Sequence, residues 1–246
     1  RYAFWVDVNA PAVGGHQPPT LASQFGVAAE VVSYTREHGL SVTEGGTTRT
    51  AEEDIWQFLA GAAAAAGSTP LPGGYVGYLG YDCRDVVPPR DSGEEPAVPD
   101  AQWLRVDRVA THDPATGDLE LAAIVDADAE DWLAQTAADL EPLRGLRLEA
   151  VELGTDRTEP SWGMSREHYL AAIGRCREFL ALGESYEICL TDRLTLPPVG
   201  DPLRLYLACR QANPTTRSIY LRFGDIALCS TTPEELVTVS ADGVVR

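Results

Sequence analysis

The sequence contains no lysine, because all 19 basic residues among its 246 residues are arginine. A Schiff base or a lysine nucleophile therefore cannot come from these residues. The 37 acidic residues bring the formal net charge to -18. This charge argues against a nucleic-acid partner, since binding to phosphates requires clustered cations.

Long apolar runs and metal-binding patterns are also missing. The longest candidate, residues 60–67, is mostly alanine and much shorter than the roughly 20 apolar residues of a membrane span. The first residues show no secretion signal, so we expect a cytoplasmic protein that does not bind a membrane. The five cysteines form no CxxC pair and the four histidines no HExxH motif. Zinc chemistry is therefore not indicated, and buried free thiols are the simplest interpretation.

Apolar alternation and turn residues predict several strands, and helical spacing with capping residues predicts four helices. The predicted strands cover residues 2–8, 75–81, 103–112, 119–125, 186–196, 218–223, 226–230 and 235–240. The first helix is opened by a capping box of Thr50 and Glu53, and the second covers residues 128–144. Ser165 caps the third helix, which ends at Gly183, and Asp201 caps the fourth, which ends near Asn213.

The order of these elements indicates the fold class. The strands occur in meandering runs broken by helices, which favours an α+β protein with antiparallel sheets covered by helices. Residues 9–25 are predicted to form a loop, and residues 154–163 a linker or exposed loop. We therefore expect two regions, residues 1–153 and residues 164–246.

One face of the predicted strand 186–196 is chemically mixed. It carries Glu187 and Thr191 together with a cysteine, an arginine and a second threonine, whereas the other face is mainly apolar. Such a face is either a solvated sheet surface or the lining of a polar ligand cavity. The pattern alone leaves both interpretations open.

Two further segments contain residues that could carry chemistry. Glu234 follows a proline directly after a predicted strand, where a carboxyl group could act as a positioned general acid or base. It could equally be an ordinary solvated glutamate. The glycines of residues 73–80 do not have GxGxxG spacing and no lysine follows them. We therefore interpret this segment as a strand and not as a phosphate loop.

Several motifs occur together and in order. They are Gly-Gly-Tyr-Val-Gly-Tyr-Leu-Gly-Tyr-Asp at 73–82, Gly-Glu-Ser-Tyr-Glu-Ile-Cys-Leu-Thr at 183–191, Gln-Ala-Asn-Pro at 211–214, and Thr-Pro-Glu at 232–234. The set resembles the chorismate-utilising family, which includes anthranilate synthase component I, 4-amino-4-deoxychorismate synthase component I, and the isochorismate and salicylate synthases. The resemblance extends from about Leu71 to Arg246 and is weak over Tyr2–Asp7.

The motif at 183–191 helps to choose among these enzymes. Its amino-acid sequence is similar to that of the corresponding motif in 4-amino-4-deoxychorismate synthases from plants, fungi and high-GC bacteria. Isochorismate- and salicylate-forming relatives have a water-activating lysine at the position of Glu187, so the resemblance implies amination and not addition of water. Anthranilate synthase component I remains an alternative, as does a non-catalytic module that binds a glutaminase or an effector.

The resemblance also implies a fold and a mechanism. The fold is a sandwich of antiparallel sheets with helices outside, incomplete at its carboxyl end, and chorismate lies between the sheets. A lysine expected directly after Arg246 attacks ring carbon 2, while Glu234 assists departure of the hydroxyl on carbon 4. Ammonia comes from a glutamine amidotransferase partner or fused domain. The pathway, folate or secondary metabolism, stays open.

The expected site residues follow from the same resemblance. Glu234 is the expected catalytic residue, and Glu187 and Thr191 are the expected substrate-binding residues. Mg²⁺ is implied, but its glutamate ligands are expected after Arg246 and none within these residues. We therefore expect residues 1–246 alone neither to aminate chorismate nor to hold Mg²⁺ well. Some relatives bind tryptophan for feedback or for structure, and part of that pocket matches Thr216, Arg217 and Ser218.

Overall fold

The structure, a computed structural model, describes residues 2–7, 22–65, 73–83, 98–146, 150–151, 159–198, 200–232, 234–240 and 242–245. The chain divides into two compact units: unit 1 comprises residues 1–151 and 202–246, and unit 2 comprises residues 152–201. These units do not coincide with the expected regions 1–153 and 164–246. The division into compact units does not test whether residues 1–153 and residues 164–246 are separate functional domains, which stays a prediction.

The described residues of unit 1 form eleven strands and three helices. In chain order they are β1 (Tyr2–Asp7), β2 (Ser23–Ala28), β3 (Glu30–Thr35), β4 (Gly39–Glu44), β5 (Thr47–Ala51), α1 (Ile55–Ala65), β6 (Tyr75–Leu79), β7 (Ala101–Arg105), β8 (Arg108–His112), β9 (Leu119–Ala123) and α2 (Ala129–Leu140). Unit 2 supplies β10 (Ser161–Trp162), α3 (Arg166–Leu182) and β11 (Leu194–Thr195), after which unit 1 resumes with α4 (Pro202–Ala212), β12 (Arg217–Phe223) and β13 (Ile226–Thr232).

Two antiparallel sheets form the framework of unit 1. The six-stranded sheet has the order β13-β12-β1-β2-β8-β9, and the five-stranded sheet has the order β5-β4-β3-β7-β6. β1 lies between β12 and β2, with Tyr2 opposite both Phe223 and Ala28. The amino-terminal strand therefore joins the last two strands to the rest of the sheet.

The two sheets pack face to face around a shared core. Its buried residues come from both sheets: Phe4, Val31, Leu104, Val106, Val109, Leu221 and Phe223. Side chains alternate between the faces of a strand, so Val31 of β3 points into this core while Val32 joins a second cluster on the opposite face. The predicted α+β sandwich of antiparallel sheets is confirmed.

Helix α1 covers the outer face of the five-stranded sheet. Ile55 is 1% exposed and packs with Val32, Leu40 and Val42, and Phe58 and Leu59 lie against the same cluster. The predicted cap is wrong by four residues, since Thr50 lies in β5. Asp54 Oδ1 accepts the N–H of Gln57 at 2.8 Å, and Gln57 Oε1 accepts the N–H of Asp54 at 3.1 Å. The capping box is thus formed by Asp54 and Gln57.

The strand predicted over residues 103–112 is two strands. β7 belongs to the five-stranded sheet and β8 to the six-stranded sheet. The chain changes sheets at Val106, which is 0% exposed and whose N–H donates to the carbonyl of Gly74 at 2.9 Å. The buried positions run 104, 106 and 109, so the spacing of two is broken at the bend. The hairpin predicted around residues 113–118 is confirmed, because β8 pairs with β9 and Gly117 lies in the turn with φ 78°.

Other differences lie near the two ends of unit 1. The predicted loop 9–25 is wrong at residues 23–25, which belong to β2; residues 8–21 lie outside the described residues. The predicted strand 235–240 is also wrong, because its described residues form only one isolated bridge, Val239 to Val245. Leu236 is 97% exposed. The apolar residues there have no neighbouring strand among the described residues to pair with.

In unit 2 the helix predicted from Ser165 to Gly183 is confirmed. Ser165 Oγ accepts the N–H of His168, and Gly183 has φ 76°, a left-handed conformation that glycine adopts at little cost. The strand predicted over residues 186–196 is wrong except at Leu194–Thr195, which pairs with Ser161–Trp162. Tyr186 is 96% exposed. Alternation in the sequence does not supply a hydrogen-bonding partner, and a strand requires one.

Among the described residues, no helix has both the length and the apolar character that crossing a membrane requires.

Candidate functional site

Glu234 lies directly beyond the end of β13. Its N–H donates to Thr232 Oγ1 at 3.2 Å, and its side chain is exposed. This hydrogen bond ties the N–H of Glu234 to the last residue of β13, while the carboxyl group of Glu234 is open to solvent. The catalytic role of this residue stays a prediction.

The next residue, Glu235, is held by an arginine. Its Oε2 lies 2.5 Å from Nη2 of Arg217, the first residue of β12. A hydrogen bond from the side chain of Thr238, followed by the bond from Arg217, lowers the pKa of Glu235 below its usual value. Glu235 therefore carries its negative charge between two donors, whereas Glu234 beside it faces water.

Two of the three predicted effector residues, Arg217 and Ser218, make side-chain contacts within unit 1. Ser218 is 1% exposed, and its hydroxyl lies 2.9 Å from that of Thr215. Arg217 is paired with Glu235, and Thr216 is half-buried. An effector role for Thr216, Arg217 and Ser218 is not tested by these contacts and stays a prediction.

A buried polar cluster beneath α4 was missed by sequence reasoning. Asp7, the last residue of β1, is 1% exposed and forms an ion pair with Arg210 of α4. Ser23 donates to Asp7 Oδ1 at 2.9 Å, and the Tyr206 hydroxyl to Asp7 Oδ2 at 3.4 Å. The Arg210 guanidinium lies 5.2 Å from the centre of the Trp5 ring. An acidic residue that ends a largely apolar strand was the available signal, but its partner is 203 residues away.

The carboxylate of Asp7 is the shared partner of the donors in this cluster. Burial, and then the charge of Asp7, raises the pKa of the Tyr206 hydroxyl well above its ordinary value. Tyr206 therefore stays a neutral donor to Asp7. Because Asp7 already receives donors from Ser23, Tyr206 and Arg210, its carboxylate acts as the hub that fastens α4 to β1 and β2.

The two predicted substrate-binding residues lie in unit 2, in a stretch without regular structure. Ser185 Oγ donates to the carbonyl of Glu187 at 2.6 Å and accepts the N–H of Glu187 at 3.3 Å. Thr191 Oγ1 donates to the carbonyl of Cys189 at 3.5 Å. The Glu187 and Thr191 side chains are both exposed. They belong to unit 2 and Glu234 to unit 1, and their binding roles stay predictions.

The described residues do not fit a Mg²⁺ ion. They contain no group of three histidine, cysteine, aspartate or glutamate side chains placed to hold a metal. Three carboxylates are buried among the described residues, and each has a partner. Asp7 pairs with Arg210, Glu30 lies 3.8 Å from Arg105, and Asp100 accepts the backbone N–H of Arg36 at 2.9 Å. Mg²⁺ prefers free carboxylates and water in an octahedral arrangement.

The central residues of the glycine-rich motif form β6, which packs closely against β7. Gly77 lies opposite Trp103 of β7, and a Cβ built there would lie 2.1 Å from the carbonyl oxygen of Gln102. Only a residue without a side chain allows β7 this close to β6. The interpretation of the segment as a strand is confirmed.

Comparisons with known proteins identify the relatives of this chain. The sequence model of the family described as chorismate binding enzyme matches residues 15–246. Aminodeoxychorismate synthase from Streptomyces pristinaespiralis is 30% identical over 98% of this chain and 36% of its own length. Anthranilate synthase component 1 from Pseudomonas putida is 32% identical over 68% of this chain and 36% of its own length.

A solved structure shares the fold. The crystal structure of anthranilate synthase component I from Streptococcus pneumoniae TIGR4 superimposes with a TM-score of 0.64 at 18% identity, covering 93% of this chain and 54% of that one. The chain spans about a third of the length of the curated relatives that it matches. Because the family match extends over nearly all of its residues, the chain belongs to the chorismate binding enzyme family.

Proposed function

We propose that this chain forms part of a synthase that converts chorismate and ammonia to 4-amino-4-deoxychorismate. One observation carries the proposal: the aminodeoxychorismate synthase from Streptomyces pristinaespiralis aligns with 98% of the chain, whereas the anthranilate synthase component 1 from Pseudomonas putida aligns with 68%. The family match and the shared fold support chorismate as the substrate.

The chemistry assigns a task to Glu234. Amination at carbon 4 breaks the bond from that carbon to its hydroxyl and forms a bond to nitrogen, and water leaves. Hydroxide is a poor leaving group, so a protonated carboxyl near the hydroxyl accelerates its departure as a general acid. The place of Glu234 in the Thr-Pro-Glu motif at 232–234, which matches the glutamate that assists departure of the hydroxyl in the family, supports this assignment.

The ammonia source and the metal are parts of the proposal. A glutamine amidotransferase, as a partner or fused domain, is proposed to supply ammonia. Mg²⁺ is proposed because the family resemblance implies it, but the described residues provide no donor set for it.

The test uses the synthase that carries this sequence. Purified enzyme is incubated with chorismate and an ammonium salt, and the products are identified by chromatography and mass spectrometry. We expect 4-amino-4-deoxychorismate, which retains the enolpyruvyl group, and no release of pyruvate. Anthranilate together with pyruvate would show that the enzyme is an anthranilate synthase. Consumption of no chorismate would favour a non-catalytic binding module.

Substitution of Glu234 tests its assigned role. Glu234→Gln keeps the size of the side chain and replaces the carboxyl group with an amide that cannot act as a general acid. We expect kcat to fall by about 10²- to 10⁴-fold, the usual contribution of a general acid. Glu44→Gln is the matched control, because Glu44 is also an exposed glutamate at the end of a strand. Equal turnover by the two variants would remove Glu234 from the mechanism.

A further inference from the structure

The backbone around Glu234 needs an anchor on its carboxyl-terminal side. β13 ends at Thr232, and residues 234–238 have no ladder partner among the described residues. Thr232 holds the N–H of Glu234, but this bond fixes only one side of the residue. A segment without ladder hydrogen bonds opens easily unless side chains hold it.

The ion pair between Arg217 and Glu235 supplies this second anchor. Arg217 lies opposite Thr232 in the last pair of the β12–β13 ladder. Three residues beyond Thr232, the Glu235 carboxylate lies 2.5 Å from the Arg217 guanidinium. The ion pair therefore extends the contact between β12 and β13 beyond the end of their hydrogen-bonded ladder. Glu234 lies between the end of that ladder and the ion pair.

The surroundings of the pair suit an anchoring role. The Arg217 side chain is 29% exposed and that of Glu235 is 43% exposed, so neither is deeply buried. Thr238 donates a second hydrogen bond to Glu235, which ties the following residues to the same carboxylate. Such a pair adds little to the free energy of unfolding of the whole protein. It can still stabilise the short segment 234–238, which has no ladder partner among the described residues.

We propose that Arg217 is a positioning residue, and that its ion pair with Glu235 holds the backbone on which the Glu234 carboxyl is presented. This inference rests on the proposed function, in which Glu234 acts on the substrate. It differs from the effector role that the family resemblance implies for Arg217. Holding a reacting group in place raises the fraction of productive encounters and so acts on kcat.

The first experiment measures the segment without any activity assay. Amide hydrogen exchange in a peptide containing residues 234–240 is followed by mass spectrometry in this chain and in Arg217→Gln. We expect exchange to accelerate about two- to fivefold, the range of an exposed ion pair, with no change in β1 or β3. Arg144→Gln is the matched control, because Arg144 pairs with Glu141 at 3.0 Å in a different segment of unit 1.

A charge exchange separates the pair from a general effect of substitution. Arg217→Glu combined with Glu235→Arg restores an ion pair with reversed polarity, and we expect exchange in residues 234–240 to return toward the original rate. Glu235→Gln breaks the pair from its other side and serves if Arg217→Gln does not fold. Unchanged exchange in the single variants, or no recovery in the double variant, would overturn the proposal.

The second experiment asks whether the anchor serves the reaction. In the synthase, we expect Arg217→Gln to lower kcat about two- to fivefold with an unchanged KM for chorismate, and the charge exchange to restore kcat. An altered KM with unchanged kcat would overturn the positioning role. If exchange responds but Glu234→Gln retains full turnover, the anchor stands and the catalytic role of Glu234 is what fails.

Discussion

Arg210 of α4 forms an ion pair with Asp7 of β1, whose side chain is 1% exposed. The two residues are 203 positions apart, and the pair joins the first strand to the helix that precedes β12. Because the Asp7 side chain is buried, loss of its partner should be costly: an unpaired buried carboxylate cannot recover its lost hydration.

Removal of the arginine tests this cost. We expect Arg210→Ala to lower the free energy of unfolding by about 3–5 kcal/mol, since it leaves Asp7 charged and buried. Urea denaturation followed by circular dichroism measures the change. Arg144→Ala removes an exposed pair and should leave the free energy of unfolding almost unchanged. A loss below 1 kcal/mol for Arg210→Ala would show that water reaches Asp7.

A combined variant distinguishes the unpaired charge from lost packing. Asp7→Asn together with Arg210→Met removes both charges, and we expect it to be more stable than Arg210→Ala, because no buried charge is left without a partner. The same urea series measures this. Equal stability of the two proteins would mean that packing of the arginine stem, and not its charge, stabilises the fold.

Alkaline pH should destabilise unit 1. Burial raises the pKa of Tyr75 and of Tyr78 from 10.0 to about 12, with Glu30 adding to the shift at Tyr75 and Asp100 at Tyr78. Above pH 10 the unfolded chain loses protons that the folded protein retains. Stability is therefore full below pH 10 and falls as the pH rises toward 12, at about 1.4 kcal/mol per pH unit for each tyrosine.

Urea unfolding at pH 9, 10 and 11 measures this slope, and absorbance near 295 nm follows tyrosine ionisation. Tyr78→Phe removes one of the titrating groups and should make the decline shallower. Tyr81→Phe is the control, because Tyr81 is 72% exposed. A stability that stays constant from pH 9 to 11 would contradict the burial of these hydroxyl groups.

Gly77 should tolerate no side chain. In Gly77→Ala the new Cβ would lie 2.1 Å from the Gln102 carbonyl oxygen and 2.7 Å from the Trp103 Cα, and backbone atoms cannot move aside cheaply. We expect a loss of about 1–3 kcal/mol, the range for overpacking. Gly61→Ala is the control: nothing lies within 4 Å of its Cβ, and alanine in helix α1 should add about 0.5–1 kcal/mol. Thermal unfolding compares the two.

The start of α1 provides a test of the capping box. Asp54→Ala removes the oxygen that accepts the Gln57 N–H, and we expect it to cost about 1 kcal/mol. Thr50→Ala, at the position first predicted to cap the helix, should cost less than half as much, because Thr50 lies in the edge strand β5. Chemical denaturation of both variants decides between the two caps.

The predicted elements show why some of the fold was accessible from sequence. Helices α3 and α4, the β8–β9 turn and the strands β1, β6, β12 and β13 carry their signals within a few residues, such as Ser165 and Gly183 at the ends of α3. Strands β3 and β4 were not predicted, although both contribute buried residues such as Val32 and Leu40. The residue pattern marked Glu187, Thr191 and Glu234 as candidates, and only the motif resemblance assigned roles to them. The Asp7–Arg210 contact was not accessible at all.

Local chemistry decided what a short segment can do alone: where a helix begins, which turn bends the chain, and that lysine chemistry cannot come from residues that include none. Tertiary structure decided which segments became strands and which charges met. The alternating residues 186–193 found no ladder partner among the described residues, while β7 and β8, nearly continuous in sequence, entered different sheets. The reason is physical: a strand is stable only when another backbone satisfies its hydrogen bonds, and that backbone comes from a distant part of the chain.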